Sequence, residues 1–192
     1  MMGSGRGRPR RRDRPNGSSP LESSPLESSR PSVSSALTGI GYDSHRFAPS
    51  RRLILGGVEI PHEQGLQGHS DADALTHAVI DALLGAAGMG DIGEHFPDSD
   101  ERWRDADSLE LLASVVAIIA GAGFEIVNVD CTVVMEAPRL GPHKQAIRAR
   151  LAGALGLSEA RVNVKASTGE GMGFVGRGEG VAALATASLR QG

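Results

Sequence analysis

The chain has 192 residues, 40% of them hydrophobic but only 3% aromatic, so one domain with a core of small aliphatics fits, leaning on an oligomer interface. Of a formal net charge of −3, residues 1–35 carry seven Arg against three acids, which leaves the remainder about seven units negative and excludes nucleic acid as the main partner. The longest apolar run, around Leu111 to Ala122, contains Ser114 and is too short to span a bilayer, and a single cysteine excludes an internal disulfide.

The first 35 residues are rich in Arg, Pro, Ser and Gly and repeat S-P-L-E from Ser19 and again from Ser24. Such composition reads as a disordered extension. It also fits an Arg- and Ser-rich organellar transit peptide, so the localisation expected is cytoplasmic, with a plastid-type organelle as the alternative. No secretory signal pattern opens the chain.

Order is expected over residues 36–192. ALTGIGYDSHRF reads as a strand, and RRLILGGVEIP as a hairpin turning at Gly56-Gly57. Ser70 followed by Asp73 gives an S-x-x-D start signal for a helix from about Asp71 to Ala87, with Leu75, Val79, Leu83 and Ala86 at helical spacing. A second helix is expected from Ser108 to Ala120. FEIVNVDCTVVM then alternates as a strand, with Cys131 as a buried, inert thiol. A third helix runs from about His143 to Leu155, RVNVKAS is another strand, and GVAALATASL fits a strand or a helix equally. The fold class expected is α+β, a single-layer mixed sheet packed on helices.

Asp43 and His45 lie two apart on a strand and so share a face. His77 lies on the first helix, one turn after Asp73 and one turn before Asp81. If the helix crosses the strand, one carboxylate and two imidazoles converge as a three-ligand site with an open position, which suits catalytic zinc. Asp81 is then a candidate to orient the His77 ring. Taken singly, D-x-H arises by chance and a lone helical His is more often a polar-face or core residue.

Three loops surround these residues in sequence. GHSDAD sets His69 and Ser70 just ahead of the first helix, either as an anion site at its N-terminus or as plain capping. DIGEHFPDSD looks too polar for core and can bind polyol hydroxyls through Asp91 and Asp98, or be a solvated turn. KASTGEGMGFVGRGEG carries six glycines between Gly169 and Gly180, a pattern that brings backbone amides close to a ligand or makes a structural turn. It is not a P-loop, because no G-K-[ST] follows.

The segments GYDSHRF, LILGGVEIP, HSDADALTHAVIDALLGAAGMGDIGEHFPDSD, NVDCTVVMEAPRLGPH and NVKASTGEGMGFVGRGEG resemble the 2-C-methyl-D-erythritol 2,4-cyclodiphosphate synthase family in order and spacing, over about residues 38–190. The resemblance implies a homotrimer with sites between subunits and an enzyme of the non-mevalonate isoprenoid pathway. It implies conversion of 4-diphosphocytidyl-2-C-methyl-D-erythritol 2-phosphate to the cyclic diphosphate with loss of CMP. Carried over by motif, Asp43, His45 and His77 would hold Zn²⁺, and Glu170 a second ion, Mg²⁺ or Mn²⁺. His69 and Thr168 would stabilise the transition state. Substrate contacts would come from Asp43, Ser44, His45, His69, Ser70, Asp91, Ile92, Gly93, Phe96, Pro97, Asp98, Ser99 and Asp100. Met135, Glu136, Ala137, Pro138, Arg139, Leu140 and Gly141 would recognise cytosine. Ser167, Thr168, Gly169 and Glu170 would complete that pocket, with Phe174 and Arg177 as substrate-side or three-fold-axis residues.

Two departures stand out. The family often has T-T-T-E-K where this chain has Ser167-Thr168-Gly169-Glu170-Gly171, so a lysine contact to phosphate is missing. P-K-M-L-P becomes Pro138-Arg139-Leu140-Gly141-Pro142, which keeps one basic residue. Two further readings are a non-catalytic trimer that binds cytidine diphosphate or isoprenoid phosphates, and the cyclase half of a bifunctional protein. Against the second, 35 leading residues are too few for a cytidylyltransferase domain. Neither nucleic acid nor membrane is an expected partner.

Overall fold

The computed structural model describes residues 36–192. The amino-terminal extension read from composition lies outside the described residues. Strand β1 (Ala36–Pro49) leads into a hairpin of β2 (Leu53–Leu55) and β3 (Val58–Ile60). Gly56 and Gly57 form its turn at φ +57° and +68°, the left-handed values that a two-residue hairpin turn requires. Next come β4 (Gln64–Leu66), α1 (Ala74–Ala87), α2 (Ile92–His95) and α3 (Ser108–Gly121). The rest is β5 (Phe124–Val134), α4 (Lys144–Leu155), β6 (Val162–Ser167), α5 (Gly173–Gly176) and β7 (Gly180–Gln191).

Five strands form one mixed sheet in the order β4-β1-β7-β5-β6. Only β5 and β6 run parallel; the other neighbours are antiparallel. The expected mixed α+β architecture is therefore the one that forms. GVAALATASL, which fitted two patterns, is a strand between β1 and β5. Val181, Ala183, Ala185, Ala187 and Leu189 are each at most 1% exposed, a period of two along one buried face.

The face of β1 that receives α1 is set by glycine. A Cβ on Gly39 would lie 2.2 Å from the Ala82 carbonyl oxygen, and one on Gly41 would lie 1.9 Å from that of Ala78. The helix answers with Ala78, Ala82 and Ala86, so backbone meets backbone and dispersion contacts are dense. The opposite face of the strand carries Ile40 and Tyr42, which are 70% and 53% exposed.

The start of α1 differs from the S-x-x-D expectation. Asp73, not Ser70, is the N-cap, and its carboxylate accepts from the Thr76 amide at 3.0 Å and from the Thr76 hydroxyl at 2.7 Å. Fully buried, Asp73 also accepts from the amides of Gly56 and Gly57 at 2.9 and 2.7 Å. Four donors from two elements outweigh what a serine cap could supply, and they tie the hairpin tip to the helix. Of the first-turn amides of α1, these bonds occupy that of Thr76. The DIGEHFPDSD segment likewise departs from a wholly solvated loop: Ile92–His95 is helical and Phe96 packs into the core at 9% exposure.

Cys131 is buried on β5, its thiol donates to the Asn163 carbonyl, and burial pushes its pKa up to about 12. The inert thiol read from sequence fits that setting.

Candidate functional site

The alternation that puts Gly39 and Gly41 under α1 continues to Asp43 and His45, which emerge on the same face where the helix begins. His77, one turn inside α1, closes the third side. His45 Nε2 lies 2.9 Å and His77 Nδ1 3.0 Å from the same carboxylate oxygen, Asp43 Oδ2, and the two imidazole nitrogens lie 3.3 Å apart. The ligand atoms of the three residues all lie within 4.8 Å of one another. The sequence-predicted trio is thus brought together.

The donor set fits a divalent ion. His45 Nδ1 lies 2.7 Å from the Gln67 carbonyl, which can only accept, so that nitrogen carries a proton, and in the neutral ring Nε2 offers its lone pair to the centre. Tetrahedral ligands about 2.0 Å from zinc stand about 3.3 Å apart. The observed 2.9 to 3.3 Å therefore needs an adjustment of only a few tenths of an ångström. With no ion among the three, burial raises the Asp43 carboxyl, but hydrogen bonds and charge from the His45 and His77 rings in their protonated forms hold it well below the usual carboxylate range. Burial lowers the His45 imidazole, but the hydrogen bond and charge of Asp43 carry it above its ordinary value.

The expected role of Asp81 is not what the structure has. Its carboxylate accepts from the Ile92 amide at 2.8 Å and so fixes the start of α2. The outer nitrogen of His77 meets two hydroxyls instead, Ser108 Oγ at 2.9 Å and Ser70 Oγ at 3.2 Å. The Ser108 hydroxyl donates to Asp71.

The trio lies in a cavity of about 400 Å³. His69, Ser70, Ile92, Gly93, Phe96, Pro97, Asp98 and Ser99 form its walls, together with Trp103. Trp103 stacks edge-on against Phe96 with centroids 5.1 Å apart. Among the described residues, His69 Nε2 is buried without a hydrogen-bond partner. Asp91 and Asp100 are not in the wall: they cap α2 and the turn at Glu101–Trp103, and Asp100 is gripped by Arg102 at 2.6 Å. Arg51, which sequence reading passed over, straps the loop carrying His69 by donating to the carbonyls of Leu66 at 3.2 Å and Ser70 at 2.7 Å. Nothing in a linear reading marks it, because its partners are backbone atoms 15 and 19 residues away.

A separate group forms where the parallel strands β5 and β6 end. The Met135 amide donates to the Ser167 carbonyl at 3.1 Å, and Glu136 accepts from the Gly169 amide at 2.8 Å. The Thr168 hydroxyl donates to Glu170 at 2.6 Å, and the peptide between Ala137 and Pro138 is cis. Val134 pairs with both Ser167 and Ala182, and Val181 pairs with His45. Three strand spacings of about 4.8 Å each, some 14 Å, therefore part Ser167 from His45 within one chain. Thr168 and Glu170 do not line the cavity that holds His69 and the trio. Phe174 and Ser44 share a third hollow beside His45, and Arg177 is paired with Glu179 at 2.7 Å.

A family model described as the YgbB family matches residues 36–190. A bifunctional enzyme IspD/IspF from Anaeromyxobacter dehalogenans is 60% identical over 152 residues, 79% of this chain and 39% of that protein. A 2-C-methyl-D-erythritol 2,4-cyclodiphosphate synthase from Symbiobacterium thermophilum is 57% identical over 153 residues, 80% of this chain and 98% of that one. Among solved structures, a 2C-methyl-D-erythritol-2,4-cyclodiphosphate synthase in a CDP-bound form aligns with a TM-score of 0.73 at 37% identity, over 79% of this chain and 99% of that one. The chain thus spans 39% of the length of the bifunctional relative and nearly all of the monofunctional one.

Proposed function

Because the chain belongs to the YgbB family, we propose that it converts 4-diphosphocytidyl-2-C-methyl-D-erythritol 2-phosphate to 2-C-methyl-D-erythritol 2,4-cyclodiphosphate and CMP, as a metal-dependent phosphorus–oxygen lyase of isoprenoid precursor synthesis. The observation that carries this reading is the convergence of Asp43, His45 and His77 inside a cavity walled by the His69–Ser70 and Ile92–Ser99 segments. An oxygen of the 2-phosphate bonds to the β-phosphorus as the bond from that phosphorus to the bridging oxygen breaks. CMP leaves with the electron pair on its own phosphate. No water and no protein nucleophile enter, so the protein's task is positioning and charge neutralisation.

Asp43, His45 and His77 would hold a zinc-type ion, and Glu170 a magnesium or manganese ion. Such ions, when bound, neutralise the diphosphate and polarise its phosphorus. His69 presents a buried, unpartnered ring nitrogen that can donate to a phosphate oxygen, and Thr168 is assigned the same task from the opposite side. Ser70, Ile92, Gly93 and Phe96 to Ser99 would hold the methylerythritol part, with Asp91 and Asp100 shaping the loop from behind. Met135 to Gly141 and Ser167 to Gly169 would take the cytidine, with Phe174, Arg177 and Ser44 at the edge.

The two groups lie about 14 Å apart across the sheet, so one chain does not enclose a substrate of this reach. We place the complete site between copies, as a homotrimer in which one subunit's β5–β6 loops face the next subunit's metal trio. The apolar, uncovered sheet face with Ile40, Tyr42 and Leu184 supports that assembly, since Tyr42 and Leu184 stand opposite each other in the β1–β7 register. Among the described residues no helix is long and apolar enough to cross a membrane, and a cytoplasmic setting is the one we propose.

The test is incubation of the purified chain with substrate, zinc and magnesium. Equal amounts of CMP and cyclic diphosphate are expected. Cytidine nucleotide binding without CMP release would replace this reading with a non-catalytic binding trimer.

A further inference from the structure

The metal trio is held from behind by Ser108, which lies outside the quoted motifs, and by Asp71, to which the sequence reading gave no role. His77 Nε2 lies 2.9 Å from Ser108 Oγ, at the first residue of α3. The Ser108 hydroxyl has one proton, and it is committed to Asp71 Oδ1. Towards His77 the hydroxyl can therefore only accept, which requires the imidazole to carry its proton on Nε2 and leaves the Nδ1 lone pair facing Asp43 and His45.

Asp71 is itself fixed. It accepts from the Asp73 amide at 3.1 Å and from the Ser108 amide at 3.1 Å, so its carboxylate cannot swing away from the hydroxyl. Ser108 is fully buried, which shields the contact from bulk solvent. Ser70 Oγ, at 3.2 Å, is a longer second contact, and it already accepts from the Ala72 amide at 3.3 Å.

We infer that Ser108 and Asp71 are positioning residues: Asp71–Ser108–His77 is a relay that fixes the tautomer and rotation of His77 for metal binding. A carboxylate acting on a ligating imidazole through a hydroxyl does what a direct carboxylate–histidine pair does: it orients the ring and raises its basicity. The relay spans three elements. Asp71 precedes α1, Ser108 opens α3 and His77 lies within α1, so docking of α3 on α1 and shaping of the metal site are one event. Asp81, one turn along the same helix, has no such part, because its carboxylate is engaged by the Ile92 amide. The inference rests on the metal-site reading given above.

Zinc affinity, measured by competition with a chromophoric chelator on the full chain, tests it. Wild type, Ser108→Ala, Asp71→Asn and Asp81→Asn are compared, each with its metal-free unfolding midpoint. Ser108→Ala is expected to bind zinc about 10- to 100-fold more weakly, and Asp71→Asn to fall between it and wild type. Asp81→Asn is expected within about twofold of wild type. In the cobalt-loaded protein the visible bands should shift in Ser108→Ala, a change that a loosened helix alone would not give. The capping side chain of α3 is Asp107, which Ser108→Ala leaves intact, so the metal-free midpoint should move little. Zinc affinity within twofold of wild type in Ser108→Ala would overturn the relay. So would a metal-free midpoint that falls enough to account for the whole loss. Wild type that binds no zinc would instead remove the metal-site reading beneath it.

Discussion

Replacing Gly41 by Ala should damage stability and the metal site together. The new Cβ would lie 1.9 Å from the Ala78 carbonyl oxygen, 2.7 Å from the Ala82 nitrogen and 2.9 Å from the Ala78 carbonyl carbon. Ordinary carbon–oxygen contact is about 3.2 Å or more, so α1 must lift by about 1.3 Å or β1 must bend. All three obstructing atoms are backbone, so no side chain can rotate out of the way. Overpacking of this kind costs about 1–3 kcal/mol, and the rigid contact puts it near the upper end. For a domain of this size that lowers the thermal midpoint by about 6–12 °C. Metal geometry tolerates about 0.2 Å, and His77 sits on the helix that moves, so zinc affinity should fall by more than tenfold as well. Gly85→Ala is the internal control. That Cβ would meet only the Ile40 carbonyl oxygen at 3.8 Å, and alanine inside a helix is favoured over glycine by about 0.5–1 kcal/mol. Thermal unfolding and chelator competition at fixed protein concentration read both effects. If Gly41→Ala unfolds within 1 °C of wild type and binds zinc as tightly, the backbone-on-backbone argument is wrong.

Four other outcomes are expected. His77→Ala should abolish metal occupancy and turnover while the assembly stays folded; full activity would remove the trio from the mechanism. Asp73→Ala strands the Gly56 and Gly57 amides and uncaps α1, a loss of about 3 kcal/mol in urea unfolding, with Asp73→Asn milder; a loss below 1 kcal/mol would contradict the buried tie. Because burial raises the Cys131 thiol, its contribution to stability is complete below the unfolded value of 9.0 and is lost as pH rises toward the folded value of about 12. The stability gap between wild type and Cys131→Ala should therefore be level up to pH 9 and shrink by about 1 kcal/mol per pH unit above it; a flat gap would mean the thiol is not shifted. Gly171→Lys, which supplies the cation the family often carries, should lower KM for the diphosphate at a stability cost of about 1 kcal/mol, because Gly171 sits at φ +73°; an unchanged KM would mean that another group already fills that role.

Much of this was legible because it is periodic or local. The spacing of Gly39, Gly41, Asp43 and His45 is a strand period, and that of Asp73, His77 and Asp81 is a helix period. Crossing the two brings the trio together, but only the surrounding motifs made that reading persuasive. GVAALATASL stayed ambiguous because Ala182 and Leu184 are apolar too, and alanine fits either period; only pairing with β1 and β5 decides. Ser70 and Asp73 both satisfy a start signal, and the choice between them was made by the amides of Gly56 and Gly57, 17 and 16 residues away. Asp81 was the obvious orienter of His77 by helix spacing, yet the group found there is Ser108, 31 residues on. Local patterns place a side chain on a face; they do not say which distant chain segment arrives to meet it.

The shared face of β1 also bears on how errors in folding are corrected. If β1 paired with β7 one residue out of step, Ile40 and Tyr42 would be driven under α1 while Gly39 and Gly41 turned outward. Asp43 and His45 would turn away with them, and no cation could be held. A mispaired chain therefore gains nothing from dissolved zinc, whereas the correctly paired chain gains in proportion to the logarithm of its concentration. An ion held by the trio would then act as a proofreader of strand alignment, and growth in metal-poor medium would be expected to lower the yield of native protein.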